Sequence, residues 1–150
     1  MIRQDRRVVV GLDSSGRSTV REDGRSLPTI ELPNGIVRQE IWAQSQVPAR
    51  SGDDGTRGDP LDPAPPDRGV VVRMLTVPPM MGVGSGPDLH FDDAVHVITQ
   101  VEGALDIVLE TETVRLQQAD TIVLPASVHD LRNESSTPAT FVYTSVRRER

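Results

Sequence analysis

The sequence predicts an all-β chain, a double-stranded β-helix of jelly-roll type, and three observations predict it. Twenty valines stand against two Phe, one Trp and one Tyr, so packing rests on β-branched residues suited to a pleated surface. Gly, Pro, Asp and Ser recur between short apolar runs, the punctuation of closely spaced strands. No helical periodicity persists for three turns. A double-sheet jelly roll accommodates many short strands with such turns.

In chain order, strands are expected at Arg7 to Gly11, Ser18 to Glu22, Ile36 to Ala43 and Val70 to Val77. They continue at Ala94 to Glu102, Ala104 to Glu110, Thr113 to Gln117, Thr121 to Leu124, His129 to Asn133 and Thr140 to Val146. Between the two groups, Ser45 to Gly69 holds Pro48, Pro60, Pro63, Pro65 and Pro66 with several Gly and Asp and almost nothing apolar. This stretch is expected to be an irregular loop, either a lid or dimer contact or a tolerated surface insertion. A second Gly/Pro-rich run, Pro78 to Pro87, leads into His90 and either brings backbone close to a ligand or crosses between sheets. One domain over 1–150 is expected: N-terminal strands 7–43, the loop 45–69 and a barrel 70–146.

Composition excludes several chemistries. With no cysteine, disulfides, thiolate metal sites and cysteine nucleophiles are ruled out. The net charge of −6 argues against a generic nucleic-acid surface, and Arg147, Arg148 and Arg150 read as a solvated tail. No stretch approaches a membrane span, and the first apolar run is too short for a signal peptide, so a cytoplasmic protein without membrane partners is expected. The tripeptide Arg57-Gly58-Asp59 and the sequon Asn133-Glu134-Ser135 read as accidental. Neither a nucleophile–His–Asp spacing nor a phosphate or dinucleotide loop is present.

The three histidines, with one aspartate, carry the remaining signal. The segment GSGPDLHFDDAVHVITQVEG runs Gly84, five residues, His90, one residue, Asp92, three residues, His96, six residues, Gly103. Along Ala94 to Glu102, His96, Ile98 and Gln100 share one face, so an inward His96 places Gln100 in the same cavity. His90 and Asp92 are two apart and project together. Downstream, ADTIVLPASVHDLRN runs Ala119, five residues, Pro125, then His129 and Asn133.

These two segments resemble the two motifs of the cupin barrel. In the first motif the usual His, His, Glu ligands are permuted to His90, Asp92 and His96; in the second, Ala119 stands where Gly is usual and His129 comes one residue early. The shortened form is similar to that of small cupins reading HRT, an aspartate and GDVVVQRGTNHAW. The resemblance extends to RVVVGLDSSGRS, the Trp42 strand and PPDRGVVVRMLTVPP, covering most of the chain. It implies that His90, His96 and His129 bind one divalent transition metal, Zn, Fe, Ni, Co or Mn, with Asp92 as fourth ligand, as a carboxylate orienting a histidine, or as a general base.

Around the motifs, Gln100 and Asp92 are the candidate catalytic residues. Arg38 and Arg73 are expected outside as surface charge, although inward they would offer a fork for a carboxylate. Trp42 and Tyr143 are expected in the core or a dimer interface, with the wall of a pocket for an aromatic or polyketide-like substrate as the alternative, and Met74, Met80 and Met81 near the mouth. The activity implied is that of a small-molecule enzyme, a metal-assisted lyase or isomerase on an oxygenated organic acid or ketone. The alternatives are an Fe(II) dioxygenase and a non-catalytic ligand-binding barrel. A homodimer is expected, with Val8-Val9-Val10 pairing to a sheet edge in its own barrel or a partner's.

Overall fold

The computed structural model describes residues 4–25, 27–56 and 62–149. Twelve strands run β1 (Arg7–Leu12), β2 (Ser18–Gly24), β3 (Thr29–Glu31), β4 (Val37–Gln44), β5 (Val70–Val77) and β6 (His90–Phe91). They continue with β7 (Ala94–Glu102), β8 (Leu105–Val108), β9 (Thr113–Leu116), β10 (Thr121–Pro125), β11 (Val128–Arg132) and β12 (Ala139–Arg147). The described residues include no helix. Arg57, Gly58, Asp59 and Pro60 lie outside the described residues, as does Arg150.

A six-stranded sheet of order β10-β7-β12-β5-β4-β3 faces a four-stranded sheet of order β6-β11-β8-β9, every pairing antiparallel. Their inner faces meet in one apolar core: Leu75, Ile98, Leu124 and Phe141 from the larger sheet, Leu105, Ile107 and Leu116 from the smaller. On β5 and β7 the burial alternates residue by residue, because each strand keeps one face on that core.

Two strands escape the sequence pattern. Thr29–Glu31 and His90–Phe91 span three and two residues, too few to show a period of two. The N-terminal expectation is also corrected: Val8 to Val10 pair with β2 in a separate two-stranded hairpin and not with an edge of their own barrel. Val8, Val10, Leu12 and Val20 stay exposed on that hairpin.

The motif residues outside the histidines act on the backbone. Gly103, at φ 74°, turns β7 into β8, and a Cβ there would lie 2.6 Å from the Pro138 carbonyl oxygen. Asn133 is fully buried; its amide donates to the carbonyls of Pro78 and Thr137 at 3.1 and 2.8 Å, while its Oδ1 accepts from the Ser135 backbone at 3.0 Å. Ala119 holds φ 73°, the left-handed region an L residue enters at a cost. Ala119→Gly is therefore expected to stabilise the fold by up to about 1 kcal/mol, read as a higher urea midpoint at unchanged slope; an unchanged or lower midpoint would contradict this.

The long loop is not a loose insertion. Arg73 on β5 donates to the carbonyls of Asp62 and Pro63 at 2.6 and 2.9 Å, and Arg147 on β12 pairs with Asp67 at 3.2 Å. Residues 62–67 thus form a strap tied to two adjacent barrel strands. Upstream, Gly55 at φ 74° lies against Trp42, where a Cβ would meet the indole ring at 2.1 Å.

Candidate functional site

The site forms where the two sheets come together at one end. His90 on β6 is the cross-strand partner of His129 on β11, and their ring centroids lie 4.7 Å apart. Residues Asp92 and Asp93 then carry the chain across to β7 in the other sheet, where His96 faces inward. The His96 and His129 ring centroids are 5.8 Å apart, edge to face. All four residues named from the motifs converge.

They do not converge equally. His90, Asp92 and His129 present ligand atoms within 4.8 Å of one another. His96 stands behind this trio, its Nε2 3.2 Å from Asp92 Oδ2, while His90 Nε2 lies 3.7 Å from the same oxygen. Exposure divides them differently: His90 and Asp92 are about half exposed at the mouth, His96 and His129 buried beneath them.

Backbone carbonyls set the tautomers. Nδ1 of His129 is 2.9 Å from the Ser127 carbonyl and Nδ1 of His90 3.3 Å from that of Asp88. A proton on each Nδ1 leaves the Nε2 lone pair of both rings for a ligand, the arrangement that fixes metal-binding imidazoles. For His96 the assignment inverts: with Asp92 accepting from Nε2, its Nδ1 carries the lone pair, and that buried atom has no partner among the described residues.

Charge is compatible with an ion. The hydrogen bond from His96 is the main cause holding the Asp92 carboxyl below its ordinary 3.8, against the opposing effect of burial. Burial pushes His129 below the ordinary imidazole value of 6.5, so at neutral pH the ring is neutral. Two imidazole nitrogens and a carboxylate suit a borderline divalent cation.

The same shift gives a pH prediction. Because folded His129 binds fewer protons than unfolded His129 just below pH 6.5, its contribution to stability is complete above about 6.5 and lost as pH falls through the lowered folded value. Urea unfolding of chelated protein should show stability flat from about pH 8 to 7 and declining by about pH 5.5. A rise in stability over that acid interval would contradict the burial argument.

Beneath the cluster lies a cavity of about 130 Å³. Leu75, Ile98, Leu131 and Phe141 wall its inner end, Tyr143 flanks it, and Pro63 of the strap borders it. A second hollow of about 100 Å³ lies beyond Pro63, bordered by Pro65, Asp93 and Arg147 and sharing Asp92 and His96 with the first. Gln100, expected in the same cavity, shares the buried face of β7 but does not line the cavity; its amide donates to the Glu102 carbonyl at 2.8 Å.

Two arginines correct the sequence reading. Arg38 and Arg73 are buried, not surface charge. Register places Ile98, Tyr143, Arg73 and Glu40 side by side across β7, β12, β5 and β4. Arg73 Nε and Nη2 donate to Glu40 Oε2 at 3.1 and 3.0 Å, Nη1 to Tyr143 Oη at 2.8 Å, and the rest to the strap carbonyls. All five guanidinium N–H groups are thereby committed. Tyr143 accepts from Arg73 and keeps its own O–H, while burial raises its pKa above the ordinary 10.0. Tyr143, expected in the core or a dimer contact with a pocket wall as the alternative, lines the cavity and lies edge to face with His96 at 5.9 Å. Its parity with Arg73 and Glu40 is visible only once strands are paired.

No family model and no curated protein matches the sequence. Solved structures do match over most of its length. An RmlC-like cupin from Shewanella frigidimarina superposes with a TM-score of 0.57 at 12% identity, covering 84% of this chain and 88% of that one. A cupin domain from Schizosaccharomyces pombe gives 0.55 at 12% identity over 97% and 90% of the two chains. A putative ethanolamine utilization protein Q from Salmonella typhimurium gives 0.55 at 12% identity over 98% and 99%. At such identity the likeness concerns the fold alone, and it agrees with the two opposed sheets and the motif spacing: this chain has the cupin fold.

Proposed function

We propose that the chain is a metal-dependent lyase or isomerase acting on an oxygenated organic acid or ketone, by decarboxylation, dehydration or enolisation. The observation that carries the reading is the trio His90, Asp92 and His129, with both imidazole Nε2 atoms freed by carbonyl tethers on Nδ1, at the mouth of an open, largely apolar cavity. In this reading the two Nε2 atoms and the Asp92 carboxylate hold a divalent ion, with His96 fixing Asp92. A bound ion would supply Lewis-acid polarisation of a substrate oxygen and stabilise the negative charge that develops on it.

The chain's own residues do the rest. His96, buried and hydrogen-bonded to Asp92, keeps that carboxylate ionised and oriented. Where the half-exposed Asp92 is not itself a ligand to the ion, its carboxylate is placed instead to accept a proton released at the substrate carbon and exchange it with solvent. Tyr143 offers its free O–H to a substrate oxygen while Arg73 holds the phenol in place. Pro63 and the apolar wall border the space in which the reacting carbon would sit.

Incubation of the metal-loaded protein with a panel of oxo acids and ketones in deuterium oxide, followed by proton NMR, tests this reading across the whole substrate class at once. Stereoselective loss of an α-proton signal, or release of carbon dioxide or water, is the expected result, abolished by chelation. Oxygen consumption with Fe(II) in place of exchange would assign a dioxygenase, and tight ligand binding with no turnover a binding protein.

A further inference from the structure

The cavity under Pro63 has a polar end and an apolar end, and that division selects among substrates. His90, Asp92, His96 and His129 occupy the mouth, whereas the interior presents Leu75, Ile98, Leu131 and Phe141. A molecule whose oxygenated head sits at the cluster must place the remainder of its atoms against those four side chains.

Two features limit what that remainder is. Arg73, whose guanidinium bonds the Tyr143 hydroxyl beside the interior, is fully buried, paired with Glu40, and has each of its five N–H donors bonded within the protein. It has nothing left for a second carboxylate or a phosphate, whose burial without a partner is costly. Among the described residues, the one polar side chain lining the cavity besides the cluster is Tyr143, with a single O–H to give, so a polyhydroxylated chain would surrender several hydrogen bonds to water and recover at most one there. Space sets the length: about 130 Å³ is slightly less than the roughly 150 Å³ of an apolar cavity that admits benzene.

Resting on the reading of the cluster as the ion site for an oxygenated head, we propose that the substrate is a compact oxo acid or ketone bearing an uncharged hydrocarbon tail of about four to six carbons. Sugar acids, dicarboxylates and phosphorylated acids are poor fits to the same interior. The apolar wall supplies tail affinity and the saturated Arg73 withholds it from anions.

The test is calorimetric titration of the full chain, once loaded with Zn and once after chelation, with pyruvate, 2-oxobutyrate, 4-methyl-2-oxopentanoate and 2-oxoglutarate. With Zn, affinity should rise by about fourfold per added CH₂ where the tail is fully buried, so 4-methyl-2-oxopentanoate should bind at least about tenfold more tightly than pyruvate. It should exceed 2-oxoglutarate by at least about the same factor, the charged tail finding no partner. A flat series, or 2-oxoglutarate binding most tightly, overturns the tail assignment while leaving metal-dependent head binding intact. The same gradient in chelated protein supports the tail assignment and overturns the ion-bound head. Absence of binding by every acid at millimolar concentration overturns both.

Discussion

Replacing Arg73 with methionine is expected to cost about 3–5 kcal/mol of folding free energy, a large share of the stability of a small domain. Methionine keeps much of the unbranched stem but takes the Arg73 guanidinium away from the buried Glu40 carboxylate and from the Tyr143 hydroxyl. It also unties the carbonyls of Asp62 and Pro63, which hold the strap over the cavity. Much of the loss comes from the buried carboxylate, so the double variant Arg73→Met with Glu40→Leu should recover a substantial part of it. Urea unfolding measures both, and a single variant within about 1 kcal/mol of the parent would show that the network contributes little.

His129→Ala is expected to abolish metal retention, leaving less than about a tenth of an equivalent after gel filtration, because it removes one of the paired Nε2 donors. His96→Ala should act differently. If His96 orients Asp92 without touching the ion, its loss weakens metal affinity by about 10- to 100-fold and leaves a site that fills when metal is in excess. Competition with a metallochromic chelator separates the two. Equal and complete loss from both variants would place His96 among the ligands and move Asp92 to a supporting role.

The arginine and histidine roles are unequally legible in the sequence for physical reasons. Strand alternation follows from local sterics, so His96 on the inner face of β7 can be read from a period of two. The same alternation places Gln100 on that face but cannot say how far along the barrel the cavity extends, and Gln100 lies beyond it, bonded to the Glu102 carbonyl. Arg73 sits on a strand rich in Val, Met and Leu, and nothing local distinguishes a buried arginine from a solvated one. Its burial depends on Glu40, thirty-three residues away, and on Tyr143, seventy away, brought beside it by β4 and β12. Pro63 shows the same limit in reverse. A proline-rich stretch of low hydrophobicity reads as free loop, whereas its backbone carbonyls, which carry no side-chain signature, are what the barrel holds.

The two short strands mark a further boundary. β6 exists because His90 and Phe91 pair with His129 and Val128, a long-range match that two residues cannot announce. That pairing nonetheless sets the 4.7 Å ring separation on which the candidate ion site depends.

The central claim is that His90, Asp92 and His129 hold a transition metal, and metal analysis of protein purified without chelator, joined to its melting temperature, tests it most directly. Close to one equivalent of transition metal per chain is expected, with melting lowered by roughly 5–10 °C on chelation and restored by one of Zn, Ni, Mn or Fe(II) at about 100 times its Kd. Protein that carries no metal, and whose melting temperature is unmoved by chelation or by any of these ions, would contradict it.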